Sequence, residues 1–101
     1  MVKHIILWTL RSELSEAEKA VVKAGIKEGL EGLLGKVPGL LDVKVQTEGR
    51  LASSNADVML DCTLDSEEAL KAYAVHPAHV EIADTKVRPY TSVRSCLDFE
   101  I

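Results

Sequence analysis

The sequence predicts an α+β fold in which one four-stranded antiparallel sheet carries helices on a single face, in the order βαββαβ. Three observations predict it. Four short runs, at 2–11, 41–48, 57–64 and 93–101, have the apolar patterning of strands. Between them lie two stretches that open on serine caps and continue at helical spacing. The first strand is apolar on both sides, although the chain has helices enough for only one.

In Val2 to Arg11, His4, Ile6, Trp8 and Leu10 point to one face, and Ile5 and Leu7 point to the other beside Lys3 and Thr9. Ser15-Glu16-Ala17-Glu18 reads as a capping box. The helix it opens runs through Ala17, Ala20, Val21, Ala24, Glu28, Leu30 and Leu34, with Lys19, Lys23, Lys27 and Glu31 left for water. Gly25, Gly29 and Gly32 weaken this helix, and their small size would let it lie close to a sheet. Gly35 is the expected stop, with a turn at Pro38-Gly39 beyond it. Leu41, Val43, Val45 and Thr47 then alternate with polar residues, as do Val58, Leu60, Cys62 and Leu64; the polar loop 49–55 between them predicts a hairpin. Asp65-Ser66-Glu67-Glu68 opens a second helix whose buried stripe is Ala69, Leu70, Tyr73 and Ala74. His76-Pro77 breaks it, because a residue before proline avoids helical angles. Pro77 opens a further piece that carries Val80, Ala83 and Val87 to Pro89. Val93, Leu97, Phe99 and Ile101 alternate with Arg94, Cys96, Asp98 and Glu100 in the last strand. Two split βαβ units of this kind make a ferredoxin-like sandwich.

The length of 101 residues and 47% hydrophobic content fit one domain over residues 1–101, without linker or repeat. A net charge of −4 with no basic cluster argues against nucleic acid. No apolar run approaches the roughly 20 residues that span a bilayer, and the start goes straight into a strand without signal-peptide logic. The expectation is a cytoplasmic protein with no membrane partner. Cys62 and Cys96 are expected on strands separated by another strand, about 9–10 Å apart, beyond the roughly 7 Å limit for a disulfide; both are read as free thiols. The uncovered apolar sheet face predicts a homodimer, since a second copy of the sheet across a two-fold axis is the simplest cover.

The histidines and one tyrosine are the candidate site. His4 shares its strand face with Ile6 and Trp8, Tyr73 lies on the inward stripe of the second helix, and His79 follows the proline break. If they meet, His79 has the chemistry of a general base, Tyr73 would orient it or donate to the substrate oxygen, and His4 would polarise a carbonyl or hold the substrate. Packing alone is the competing reading: a buried strand histidine bonded to a neighbour, a histidine bracing the break, and a tyrosine filling the core. His76, at the break itself, reads as exposed and structural. A metal site would need His76, Glu81 or Asp84 to turn inward, and none is expected; no cofactor is called for.

Met1-Val2-Lys3-His4-Ile5-Ile6-Leu7-Trp8, the motif Tyr73…His76-Pro77-Ala78-His79-Val80 and the closing Asp98-Phe99 resemble the stress-responsive dimeric α/β-barrel (Dabb) family over essentially the whole chain. The resemblance implies a ferredoxin-like fold and a barrel-like dimer. Within that family the chain is also similar to a plant polyketide cyclase that closes an aromatic ring by cofactor-free aldol condensation, and whose functional residues match His4, Tyr73 and His79. Three functions therefore stand side by side. One is a dimeric protein binding an apolar or carbonyl-bearing small molecule in a helix–sheet pocket. The second is a cofactor-independent cyclase, isomerase or lyase-type enzyme using a His/Tyr pair. The third is a structural or stress-protective oligomer without a ligand.

Overall fold

Strand β1, Val2–Leu10, is the second strand from one edge of the sheet and the axis of the structure. A computed structural model describes residues 1–101. Strand β2 spans Leu40–Gln46, β3 spans Val58–Leu64 and β4 spans Thr91–Glu100. The sheet order is β2-β3-β1-β4, with every neighbouring pair antiparallel. The predicted ferredoxin-like α+β arrangement is the one observed. Helix α1, Glu16–Glu31, packs with α2, Glu67–Val75, and α3, Pro77–Ile82, over one sheet face.

The helix starts follow the local chemistry. Ser15 accepts from the Glu18 amide (3.1 Å) while Glu18 accepts from the Ser15 amide (2.9 Å), the reciprocal box that satisfies two orphan donors. Ser66 caps α2 through the Ala69 amide. His76 ends α2 in extended geometry and caps α3, its Nδ1 accepting from the Ala78 amide (3.1 Å), with Pro77 at the first helical position. It is half-buried rather than exposed, and it is structural as expected. After Ile82 the helix widens into a π turn, Ala83–Val87, then tightens into a short 3₁₀ turn, Arg88–Tyr90. The Thr85 hydroxyl donates back to the Glu81 carbonyl at the widening.

Several expectations are corrected. Helix α1 ends at Gly32, before the expected stop at Gly35, and its inward residues are Val22, Ile26 and Leu30. Val21 is 73% exposed, and Leu34 also faces out. Gly29 faces α3 and not the sheet: a Cβ there would lie 2.8 Å from Ile82 Cγ2. In β2 a register irregularity between Leu40 and Asp42 turns Leu40 inward and leaves Leu41 exposed. Lys27 and Glu31 of α1 bond the carbonyl and amide of Val45 on this edge strand, satisfying groups that would otherwise offer pairing to another strand.

The core lies between helices and sheet, where Ile6, Trp8, Leu60 and Leu64 meet Ile26 and Leu30. Strand β4 is paired to β1 so that Asp98, Cys96 and Arg94 stand opposite His4, Ile6 and Trp8. Paired residues share a sheet face, so the polar set of β4 lies on the helix side. Its apolar set, Val93, Leu97 and Phe99, joins Leu7 on the uncovered side, where all four are exposed.

Candidate functional site

His4, Tyr73 and His79 line one cavity of about 190 Å³ between the sheet and α2, α3 and the π turn. The sequence brought these three forward, and the structure places all of them together. Each is positioned by a separate element. Strand β1 buries His4 among its inward residues. Helix α2 presents Tyr73, 1% exposed, from its inner side. The proline break turns α3 so that the His79 ring lies 4.3 Å, centroid to centroid, from the Tyr73 ring, with an interplanar angle of 41°. The His4 ring meets Tyr73 edge-on at 6.1 Å.

The hydrogen bonds determine which nitrogens are free. His4 Nδ1–H donates to Asp98 Oδ1 at 2.5 Å across the β1–β4 pair, which leaves Nε2 uncommitted. His79 Nδ1 lies 3.3 Å from the Ala74 carbonyl, an acceptor only, so Nδ1 carries the proton and Nε2 carries the lone pair. Burial depresses the His79 pKa below its ordinary 6.5, and the charges of Arg88, His4 and Arg94 push the same way against the Ala74 bond. His79 is therefore a neutral imidazole at pH 7. Burial raises the Tyr73 pKa, and Cys62 alongside it acts in the same sense. The Cys62 thiol, which approaches the Tyr73 hydroxyl at 4.0 Å, is itself pushed up to about 12, chiefly by burial. Tyr73 thus keeps its proton and can donate it in a hydrogen bond.

Apolar walls from Ile6, Trp8, Leu30 and Val87 close the inner end of the cavity. Arg88 and Arg94, both exposed, line its outer end. Arg88 is paired with Asp84. A wider groove bordered by Lys71, Cys96 and Asp98 continues outward and shares His4, Leu70, Ala74 and Arg94 with the cavity. The inner volume is below the roughly 300–1,000 Å³ of most small-molecule sites, so it suits the head of a ligand whose remainder lies in the groove.

Asp98, Arg94 and Arg88 were not foreseen as site residues. Asp98 had a signal, since it occupies the closing Asp-Phe of the last strand, but its pairing with His4 depends on the register of β4. The arginines look like ordinary surface charges in sequence. Among ligating groups, His4, Cys96 and Asp98 are the set that could close on a metal ion, their donor atoms lying within 4.8 Å of one another. This set differs from the His76, Glu81 and Asp84 considered from sequence. Cys62 and Cys96 are free thiols, as expected. No helix is long and apolar enough to cross a membrane.

Comparison with known proteins places the chain in a family. The profile of the Stress responsive A/B Barrel Domain (Dabb) matches residues 2–101. A dimeric protein of unknown function and ferredoxin-like fold from Bacteroides fragilis is 30% identical, with a TM-score of 0.91 over 99% of this chain and 95% of that one. The hydroxynitrile lyase of Passiflora edulis superposes with a TM-score of 0.73 at 18% identity, covering 99% of this chain and 92% of the lyase. A putative antibiotic biosynthesis monooxygenase from Nitrosomonas europaea gives a TM-score of 0.73 at 12% identity, covering 99% and 97%. The last two likenesses are of fold alone. No curated protein matches the sequence. A profile match over residues 2–101 and a 30% identical relative covered almost end to end show that the chain belongs to the stress-responsive A/B barrel (Dabb) family.

Proposed function

We propose that the protein is a homodimer that binds an apolar, carbonyl-bearing small molecule between helices and sheet. The observation that carries this is the cavity itself, with apolar walls and with Tyr73 and His79, their rings 4.3 Å apart, among its lining residues. A carbonyl oxygen accepts from Tyr73, and the ligand's hydrocarbon lies against Ile6 and Trp8. The dimer forms through the open sheet face, which buries Leu7, Val93, Leu97 and Phe99 and leaves the cavity on the opposite side. That the Bacteroides relative is dimeric supports a dimer. Two free thiols suit the reducing cytoplasm.

The geometry of His79 favours a second reading, cofactor-free proton transfer. Its Nε2 lone pair takes a proton alpha to the carbonyl, the electrons move to the carbonyl oxygen, and the Tyr73 hydroxyl donates a hydrogen bond to the resulting enolate. The enolate is the nucleophile of an aldol closure or, reprotonated elsewhere, the intermediate of an isomerisation. His4, oriented by Asp98, holds a second polar group of the ligand. In these roles His79, Tyr73 and His4 are the catalytic set.

Titration with 4-phenyl-2-butanone, followed by NMR, tests both readings. Saturable shifts at cavity residues support the binding site, and a ligand-free barrel shows none. Exchange of the ketone's α-protons in D₂O tests the second reading. His79→Ala is expected to retain binding and to lose protein-dependent exchange by about 10²-fold or more. Exchange unchanged in His79→Ala would remove the base from His79.

A further inference from the structure

Among the lysines and arginines that line the site, Arg94 alone lacks a carboxylate partner. None of the seven ion pairs includes it. It is nonetheless a wall residue of both the inner cavity and the outer groove, at the junction of the two. Its neighbour there, Arg88, is held by Asp84, and the groove's Lys71 is held by Glu67. Asp98, on the same face of β4, is engaged by His4 and by the Cys96 thiol. Glu100, the other carboxylate of that strand face, is six residues away, about 20 Å along an extended strand. One guanidinium, beside the Cys96 thiol, is thus left without a carboxylate partner at the site, in a chain whose net charge is −4.

We propose that Arg94 is the anion anchor of the site, and that the ligand is a carbonyl compound carrying one carboxylate at the end remote from the carbonyl. This rests on the binding reading above and adds the charge of the ligand. A guanidinium offers two parallel N–H donors that match the two oxygens of a carboxylate. One free guanidinium suits a monoanion; a phosphate dianion would call for the second arginine, which Asp84 occupies. The carboxylate stays in the groove at Arg94, the apolar body enters the cavity, and the carbonyl reaches Tyr73. Arg94 is then a specificity residue. It does not touch the reacting atoms.

The test compares 4-oxo-4-phenylbutanoate with its uncharged methyl ester by calorimetric titration at pH 7.5. The unaltered protein is expected to bind the acid at least tenfold more tightly than the ester. Arg94→Gln is expected to abolish that preference by weakening the acid at least tenfold, leaving the ester within about twofold. Lys71→Gln is expected to keep the preference. Added NaCl should weaken the acid selectively. Equal affinity for acid and ester in the unaltered protein, or equal weakening of both by Arg94→Gln, overturns the anchor and leaves the pocket standing. Binding of neither probe overturns the pocket reading and the anchor with it. Arg94 is exposed on an edge strand, so Arg94→Gln folds, and matching melting temperatures verify this.

Discussion

His79 combines three influences: burial favours the neutral ring most, the bond to the Ala74 carbonyl opposes it, and the charges of Arg88, His4 and Arg94 add to burial. An NMR titration is expected to find its pKa below 6.5 and to find it raised in Arg94→Gln, where one of the repelling charges is gone. The same shift makes a stability prediction. Between the lowered folded value and the ordinary unfolded value of 6.5, the unfolded chain binds a proton that the folded chain refuses. Stability is therefore complete above 6.5 and falls as the pH drops through that window. The urea midpoint is expected to be lower at pH 5.5 than at pH 7.5, and His79→Asn should narrow the difference. The two thiols differ as well. Cys96 is exposed and Cys62 is buried with its pKa pushed to about 12, so a thiol reagent should label Cys96 alone until the chain unfolds. Equal labelling of both in the native state would contradict the packing of Cys62 under Tyr73.

At the scale of elements, the turn before β2 fixes how α2 lies on the sheet. Gly39 has φ +83°, and a Cβ there would stand 2.6 Å from the Ala69 Cβ. Gly39→Ala is expected to cost about 1–3 kcal/mol in chemical denaturation, from left-handed backbone strain together with overpacking against α2. A change below 0.5 kcal/mol would show that this turn has room to relax. The elements also show what was legible in the sequence. The capping box of α1, the serine cap of α2, the alternation of β1 and β3 and the proline break are local, and they read correctly. The inward positions of α1 did not, because alanines and valines surround that helix and only packing selects Val22 and Ile26 over Val21. Leu41 was misplaced because a bulge changes strand phase without leaving a mark in the alternation. His4 and Tyr73 were legible because each lay on a face with a readable direction, and His79 because it follows the proline break. Asp98 and Arg94 were not, because their place depends on the register of β4 against β1, a contact across more than 80 residues.

The whole molecule places polar chemistry and apolar surface on opposite sides of one edge strand. Strand β4 turns Arg94, Cys96 and Asp98 to the helix side and Val93, Leu97 and Phe99 to the bare side. Fully burying a side chain of this size is worth about 1.5–3 kcal/mol, so several of them on each sheet favour a face-to-face pair. Sedimentation at micromolar concentration is expected to give twice the 11.0 kDa of one chain. Leu97→Asp is expected to give the single mass with the histidine cluster still folded. The ligand reading is tested most directly by the carbonyl signal of 4-phenyl-2-butanone labelled with ¹³C at its carbonyl carbon, bound to the protein and to Tyr73→Phe. A hydrogen bond from the Tyr73 hydroxyl moves that signal downfield in the unaltered protein relative to Tyr73→Phe. Identical shifts in the two proteins, with binding retained, would contradict a carbonyl seated on Tyr73.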